Sequence, residues 1–345
     1  MTALALDAHL PTARSIGRTA GAFVLGLSLL VVFLLAAGFN VTEALAALWN
    51  GAFGSWYAFT SVTLVHATPL ILLGLAFTLG SRAGAFNIGM EGQFAVGAVA
   101  ATWLGLELTG VPAILALPAV MAAGALAGAL WIAAPVVLRV RFGVTEVIST
   151  LLLNFVADAV VSYAVTGPLQ EPSRVYPESA PIAASARLPH ILPGSRLHLG
   201  FVLALVIAGL LWILLRKTTG GFKLRAVGAG PVAARVTGKI ATVTVLATAL
   251  LGSGALAGLG GAMEVSGVSY ALYQNLSPGY GFTAIAVALL GAEEPLLVVL
   301  AGLLFGALDA GAGVMQRDAG IPAVAVQVVE AVVLLTVVVS GRKRE

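Results

Sequence analysis

Ten stretches of apolar residues, each bounded by polar residues or by glycine and proline, set the pattern of the chain. They run Gly21–Gly38, Val62–Gly80, Phe94–Leu106, Pro112–Leu138, Val147–Val165, Leu199–Leu215, Ile240–Met263, Gly281–Ala292, Pro295–Val314 and Ile321–Ser340. Unbroken apolar runs of this length predict helices that cross a hydrocarbon core about 30 Å thick. The third and eighth runs are too short to cross comfortably, which predicts tilted, extended or broken helices there. The fourth has slack for tilt. The expected fold is an all-α integral membrane protein with about ten transmembrane helices.

Composition agrees, with 59% hydrophobic and 10% charged residues and a mean hydropathy of +1.03. A soluble domain carries roughly a quarter charged residues. The chain has no cysteine, which excludes disulfides, thiolate metal sites and thiol catalysis. The net charge of +3 does not imply nucleic-acid binding, because placement decides. With ten crossings and a cytoplasmic N-terminus, fourteen of the eighteen Lys and Arg residues fall on the cytoplasmic side. Only Arg174, Arg187, Arg196 and Arg317 fall outside. That bias fits the positive-inside tendency and places both termini in the cytoplasm.

The chain reads as one membrane domain over 1–345, with an N-terminal tail, first span and outer loop over 1–58. The first span, preceded by Arg14 and Arg18, also has features of a signal peptide, but it is long for one. An external segment over 166–198 holds six of the fifteen prolines, which favours a rigid extended excursion; a plain connection and a docking surface both remain open. Gly124–Asn154 and Gly302–Ala331 each show a small-residue helix, a charged turn and a glycine opening the next helix, on opposite sides of the membrane. This pattern predicts an inverted repeat of 59–165 and 240–340.

No G-x-x-x-x-G-K-[ST] phosphate loop occurs, and His9, His66, His190 and His198 are scattered. The sequence therefore predicts no enzyme and no metal centre. Four features carry candidate chemistry. In Phe86–Phe94, Asn87, Glu91 and Gln93 interrupt apolar sequence, as either pathway or internal brace. In the basic loop 218–239, Pro231 is placed to open a short helix after Gly228 and Gly230, with Arg225, Ala233, Ala234 and Gly238 around it. Such a helix can dock on a partner, or the loop is simply basic. Ser277–Pro295 leads through Phe282 to Glu293 and Glu294, acids expected to be solvated or to meet a basic partner. Asn154, Asp158 and Glu330 lie in the repeat-related runs, as pathway groups or as hydrogen-bonding glue; Asp309 sits near a span end.

The motifs FNIGMEGQ, GVTEVISTLLLNF, TGPLQEP, RAVGAGPVAARVTG and GYGFTAIAVALLG, in this order, resemble permeases of the branched-chain amino-acid, ribose and simple-sugar ABC importers. Within that superfamily the chain is most similar to the nucleoside-type branch that works with a basic-membrane-protein lipoprotein. The resemblance covers nearly everything from Phe59 onward. It implies a type II importer fold, a second homologous permease (a heterodimer), a cytoplasmic ABC ATPase that binds ATP and Mg, an extracytoplasmic lipoprotein receptor and a bacterial inner-membrane location. It also implies that Arg225, Gly228, Ala233, Ala234 and Gly238 belong to a coupling helix, and that Asn87, Glu91, Gln93, Asn154, Asp158, Phe282 and Glu330 are candidates to line the substrate pathway. Gly230 and Lys239 depart from the family's usual residues. Nucleosides are the expected cargo, with simple sugars as the alternative. An ion-coupled carrier would share the repeat and the buried acids but would not need the loop 218–239, and a non-transporting scaffold would need neither broken helices nor buried acids.

Overall fold

The computed structural model describes residues 28–236, 238–322, 324 and 327–328. Glu330, most of the tenth apolar run, part of the first and the basic C-terminal tail lie outside them. Every extended element among the described residues is a helix; strand pairing is confined to isolated bridges such as Gln170 with Ser179 and His190 with His198. The helices are α1 (28–36), α2 (Val41–Phe53), α3 (Trp56–Ser81), α4 (Met90–Glu107), α5 (Ala113–Phe142) and α6 (Glu146–Thr166). They continue as α7 (Leu199–Lys217), α8 (Thr219–Ala229), α9 (Pro231–Val236), α10 (Thr242–Ser269), α11 (Tyr280–Leu290) and α12 (Pro295–Ala319).

Six of these, α3, α5, α6, α7, α10 and α12, are long and apolar enough to cross a membrane. The two short apolar runs stay short. At 1.5 Å per residue α4 is about 27 Å long and α11 about 16 Å, against a core of about 30 Å. α2 lies in what the sequence presents as an outer loop. Its apolar positions are interrupted by Thr42, Glu43 and Asn50, so it does not read as a span. Its start is set by Asn40, whose side-chain oxygen accepts from the backbone N–H groups of Thr42 (3.1 Å) and Glu43 (3.3 Å), a common N-cap arrangement. α3 and α10 each contain one π turn, at Phe59–Thr63 and Val265–Ser269.

The centre of the bundle is a crossing of α4, α5 and α10 at glycines. A Cβ on Gly128 would collide with the carbonyl of Gly254, and one on Gly258 with the carbonyl of Gly124. A Cβ on Gly97 would likewise strike the backbone of Gly258. Gly124 and Gly128 on α5, with Gly254 and Gly258 on α10, form two small-xxx-small pairs, which let backbones touch where lipid supplies no hydrophobic drive between helices. Around this crossing α3 is buried almost throughout, whereas α5, α6 and α7 keep Ile114, Leu130, Phe155 and Leu210 exposed, as a lipid-facing surface requires.

The proline-rich segment 167–198 is held down along one edge. Ser179 N donates to Leu272 O, Ile182 N to Tyr270 O and Leu188 N to Ser266 O, each at 2.8 Å, and Ala183 N donates to Gly105 O at 3.0 Å. It therefore packs over the ends of α4 and α10 and keeps Val175 and Tyr176 on its surface.

Candidate functional site

The polar segment before α4 is resolved into two parts with different jobs. Asn87 is fully buried and uses all of its hydrogen-bonding capacity. Its amide donates to Gln93 Oε1 (2.7 Å) and Ser253 Oγ (2.9 Å), and its oxygen accepts from Gln93 Nε2 (2.9 Å) and Gly89 N (3.0 Å). Asn154 of α6 accepts from Gly92 N (2.9 Å) and donates to Ile88 O (3.1 Å). Gly89 precedes α4 as its N-cap and has no side chain to cap it, and the first N–H groups of the helix would otherwise lack partners. Asn154 supplies that cap from another helix. Asn87, Gln93 and Asn154 thus join α4, α6 and α10 as a brace. Asn154→Ala should leave Gly92 N and Ile88 O unsatisfied and cost about 1–3 kcal/mol, read as a lower unfolding temperature in detergent.

Glu91 faces the other way. Its Oε2 accepts from Gly281 N at 2.6 Å, where a carboxylate is favoured at the positive N-terminal end of α11. Next to Gly281, Phe282 is 47% exposed. Asp158 on α6 is also exposed, within electrostatic reach of Glu91, and Ser162 one turn later accepts from Gln274 Nε2 at 2.8 Å. Glu91, Asp158 and Phe282 therefore border one open face formed by α4, α6 and α11.

At the end of the bundle that carries α8 and α9, Pro231 opens α9. Val232 and Val236 are 69% and 75% exposed, with Ala233 and Arg235 exposed beside them. Ala234 points inward and packs with Val227 and Ile240. Gly238 sits against the Ala234 carbonyl and Ile240. Gly228 lies directly on the backbone of the α3–α4 loop, where a Cβ would collide with Arg82 O. Arg225 has a buried guanidinium nitrogen, Nη1, without a partner among the described residues.

Glu293 and Glu294 are neither free in solvent nor turned to an outside surface. Ser81 Oγ donates to Glu293 Oε1 (2.5 Å), Arg82 pairs with Glu293 Oε2 (3.7 Å), and Arg216 Nη2 pairs with Glu294 Oε2 (2.8 Å). Spacing along the sequence hides these pairs, because the partners come from helices more than seventy residues away. At the same end Arg139 pairs with Glu146, whose Oε1 also accepts from Phe86 N (3.0 Å).

Glu264 went unnoticed in the sequence because the apolar run before it stops at Met263. α10 continues through it and buries it to 7% exposure, with no hydrogen bond or ion pair among the described residues. It shares a crevice with Thr68, Pro69 and His198 that has no room for a water molecule. Burial, with His190 and Arg196 adding to it, pushes the His198 imidazole down to about 4. Its Nδ1 accepts from Gly200 N (3.2 Å), so the neutral ring carries its proton on Nε2, which has no partner among the described residues. The signal available in advance was continuation of the helix past one charged residue.

Comparison with known proteins places these features. Residues 59–338 match the family described as branched-chain amino acid transport system / permease component. The chain is 41% identical, over 92% of its length and 91% of the relative's, to the guanosine ABC transporter permease protein NupP of Bacillus subtilis. It is 37% identical to the glucose ABC transporter permease protein TsgB13 of Haloferax volcanii, over 90% and 83% of the two chains. With the nucleoside ABC transporter permease protein NupB of Lactococcus lactis it shares 33% identity over 92% and 89%. In both bacteria a second, more distant guanosine or nucleoside permease also matches, at 32% and 29% identity. No solved structure matches.

Proposed function

The chain belongs to the family of branched-chain amino acid transport system permease components, and from that premise we propose that it carries nucleosides into the cytoplasm. It is a multi-pass membrane protein and a permease subunit of an ABC importer, not an enzyme. The observation that carries the choice of cargo is its 41% identity, over nearly the whole chain, to a permease named for guanosine. The rival reading, a sugar, rests on the 37% identity to a permease named for glucose. Both are tested in one assay, in which the permease is purified with its ATPase and a lipoprotein receptor. ATP hydrolysis should rise several-fold with guanosine and not with glucose or ribose. The opposite order would replace nucleosides by sugars.

ATP and its magnesium are bound by the separate ATPase, which docks on α9. The exposed Val232, Ala233 and Val236 support this, because a short apolar stripe between Arg225 and Arg235 suits a partner groove. The positive-inside bias supports a cytoplasmic position for α8, α9 and both termini. The second membrane subunit is a homologous, different permease, in keeping with the paired relatives in two bacteria. An acid at the centre of a membrane helix costs about 2.5–3.5 kcal/mol against lipid. The exposed Asp158 therefore supports a face covered by that second subunit and water, with Glu91, Asp158 and Phe282 along the pathway. Glu330, in the tenth apolar run of the sequence, is a further pathway candidate.

The halves 59–165 and 240–340 are inverted repeats. Support comes from the paired helix ends at Gly143 (φ 68°) and Gly320 (φ 63°), both left-handed and both closing a long small-residue helix. Two such halves rocking about their interface give alternating access, with ATP binding and hydrolysis shifting the balance and the receptor delivering the solute.

A further inference from the structure

At the end that carries α8 and α9, several side chains tie down the α11–α12 turn. Ala292 and Glu293 are both left-handed, at φ 51° and 54°, a conformation that non-glycine residues hold only when surrounding contacts impose it. Three donations from Arg82 impose it here. Nε and Nη2 donate to Glu293 O at 3.1 and 2.9 Å, and Nη2 also donates to Ala292 O at 3.1 Å. The planar guanidinium suits this fork, which a lysine ammonium would not reproduce. Ser81 adds its bond to the Glu293 carboxylate, and Arg216, at the end of α7, holds Glu294.

Both arginines connect this turn to the docking segment. Arg216 is the penultimate residue of α7, and α8 begins two residues after that helix ends. Arg82 O is the atom on which Gly228 of α8 rests, with Gly84 beside it. From the turn, α11 runs 11 residues to Gly281 and Phe282 at the open face, where Glu91 holds its start. A helix of three turns is stiff, so a pull on its 291–294 end is passed to Gly281 and to the Glu91 carboxylate that meets it there.

Building on the import function proposed above, we propose that Arg82 and Arg216 are positioning residues that transmit movement of α8–α9 to the pathway. They do so by gripping the 291–294 turn, so that α11 is displaced along its length and carries Phe282 with it. Neither arginine touches the solute or the ATPase in this account, so loss of the grip separates hydrolysis from transport without preventing assembly.

The test uses the full complex in proteoliposomes and reads guanosine moved per ATP hydrolysed. Arg82→Gln should keep the ATPase bound and hydrolysis within about twofold of the wild type, while guanosine moved per ATP falls at least roughly tenfold. An unchanged ratio would overturn the proposal. Should Arg82→Gln not assemble, the exchange pair decides. Arg216→Glu alone should lower the ratio, and Arg216→Glu with Glu294→Arg should restore it. A single variant that transports normally, or an exchange that restores nothing, rejects the route. Wild-type complex that hydrolyses ATP without moving guanosine would instead reject the import reading itself.

Discussion

Gly258→Leu is expected to leave no folded permease to extract. Gly258 sits where α10 meets α4 and α5 with backbone against backbone, and even a Cβ would collide with Gly124 O. The obstructing atoms belong to the peptide chain, so no side chain can rotate aside. Overpacking a close-fitted interior costs about 1–3 kcal/mol when neighbours can adjust. A leucine here must also part the two small-xxx-small pairs that hold the crossing together, so the cost lies at or above the upper figure. Size-exclusion chromatography of detergent extracts should show aggregate in place of a single peak. Gly258→Ala should give a folded protein with a lower unfolding temperature. Gly313, with open space around its Cβ position, serves as the control, and Gly313→Ala should behave as the wild type.

Val232→Glu combined with Ala233→Glu is expected to abolish uptake while the permease inserts and unfolds as the wild type does. Both side chains are exposed, so stability has little to lose, and surface changes of this kind usually shift it by less than about 0.5 kcal/mol. Docking of an apolar stripe has much to lose when two carboxylates replace it, and a fall in ATP-dependent uptake of tenfold or more is the expected outcome. Ala234 is the contrasting position. Its methyl group packs on Val227 and Ile240, so Ala234→Glu should destabilise the α8–α9 segment itself. Pull-down of the ATPase together with thermal unfolding separates the two cases.

Much of this fold was legible in the sequence wherever lipid dictates composition. The runs Val147–Val165, Leu199–Leu215 and Pro295–Val314 return as α6, α7 and α12, extended by at most a turn or so. Spans are legible because every residue facing hydrocarbon must be apolar. α2 escaped because its 13 residues, interrupted by Thr42, Glu43 and Asn50, form no apolar run of crossing length. Glu264 escaped because a run is counted by its uninterrupted apolar residues, while a helix is continued by backbone hydrogen bonds that ignore one acid. The candidate site divided in the same way. Pro231 announced α9 through its fixed φ and absent N–H. By contrast, the roles of Asn87, Gln93 and Asn154 as brace, and of Glu293 and Glu294 as anchors for Arg82 and Arg216, depend on partners brought from distant helices. Those partners are set by the tertiary arrangement, which no local spacing encodes.

Import of a nucleoside by this chain is expected only when it forms the membrane part of an ATP-driven complex. Its most direct measurement is uptake of radiolabelled guanosine into proteoliposomes holding the chain, its partner permease and the ATPase, with receptor outside and ATP supplied to the face bearing α8 and α9. Accumulation is expected to require both ATP and receptor and to cease with Val232→Glu/Ala233→Glu. Accumulation by the permease alone, driven by a proton or sodium gradient without ATPase, would contradict it.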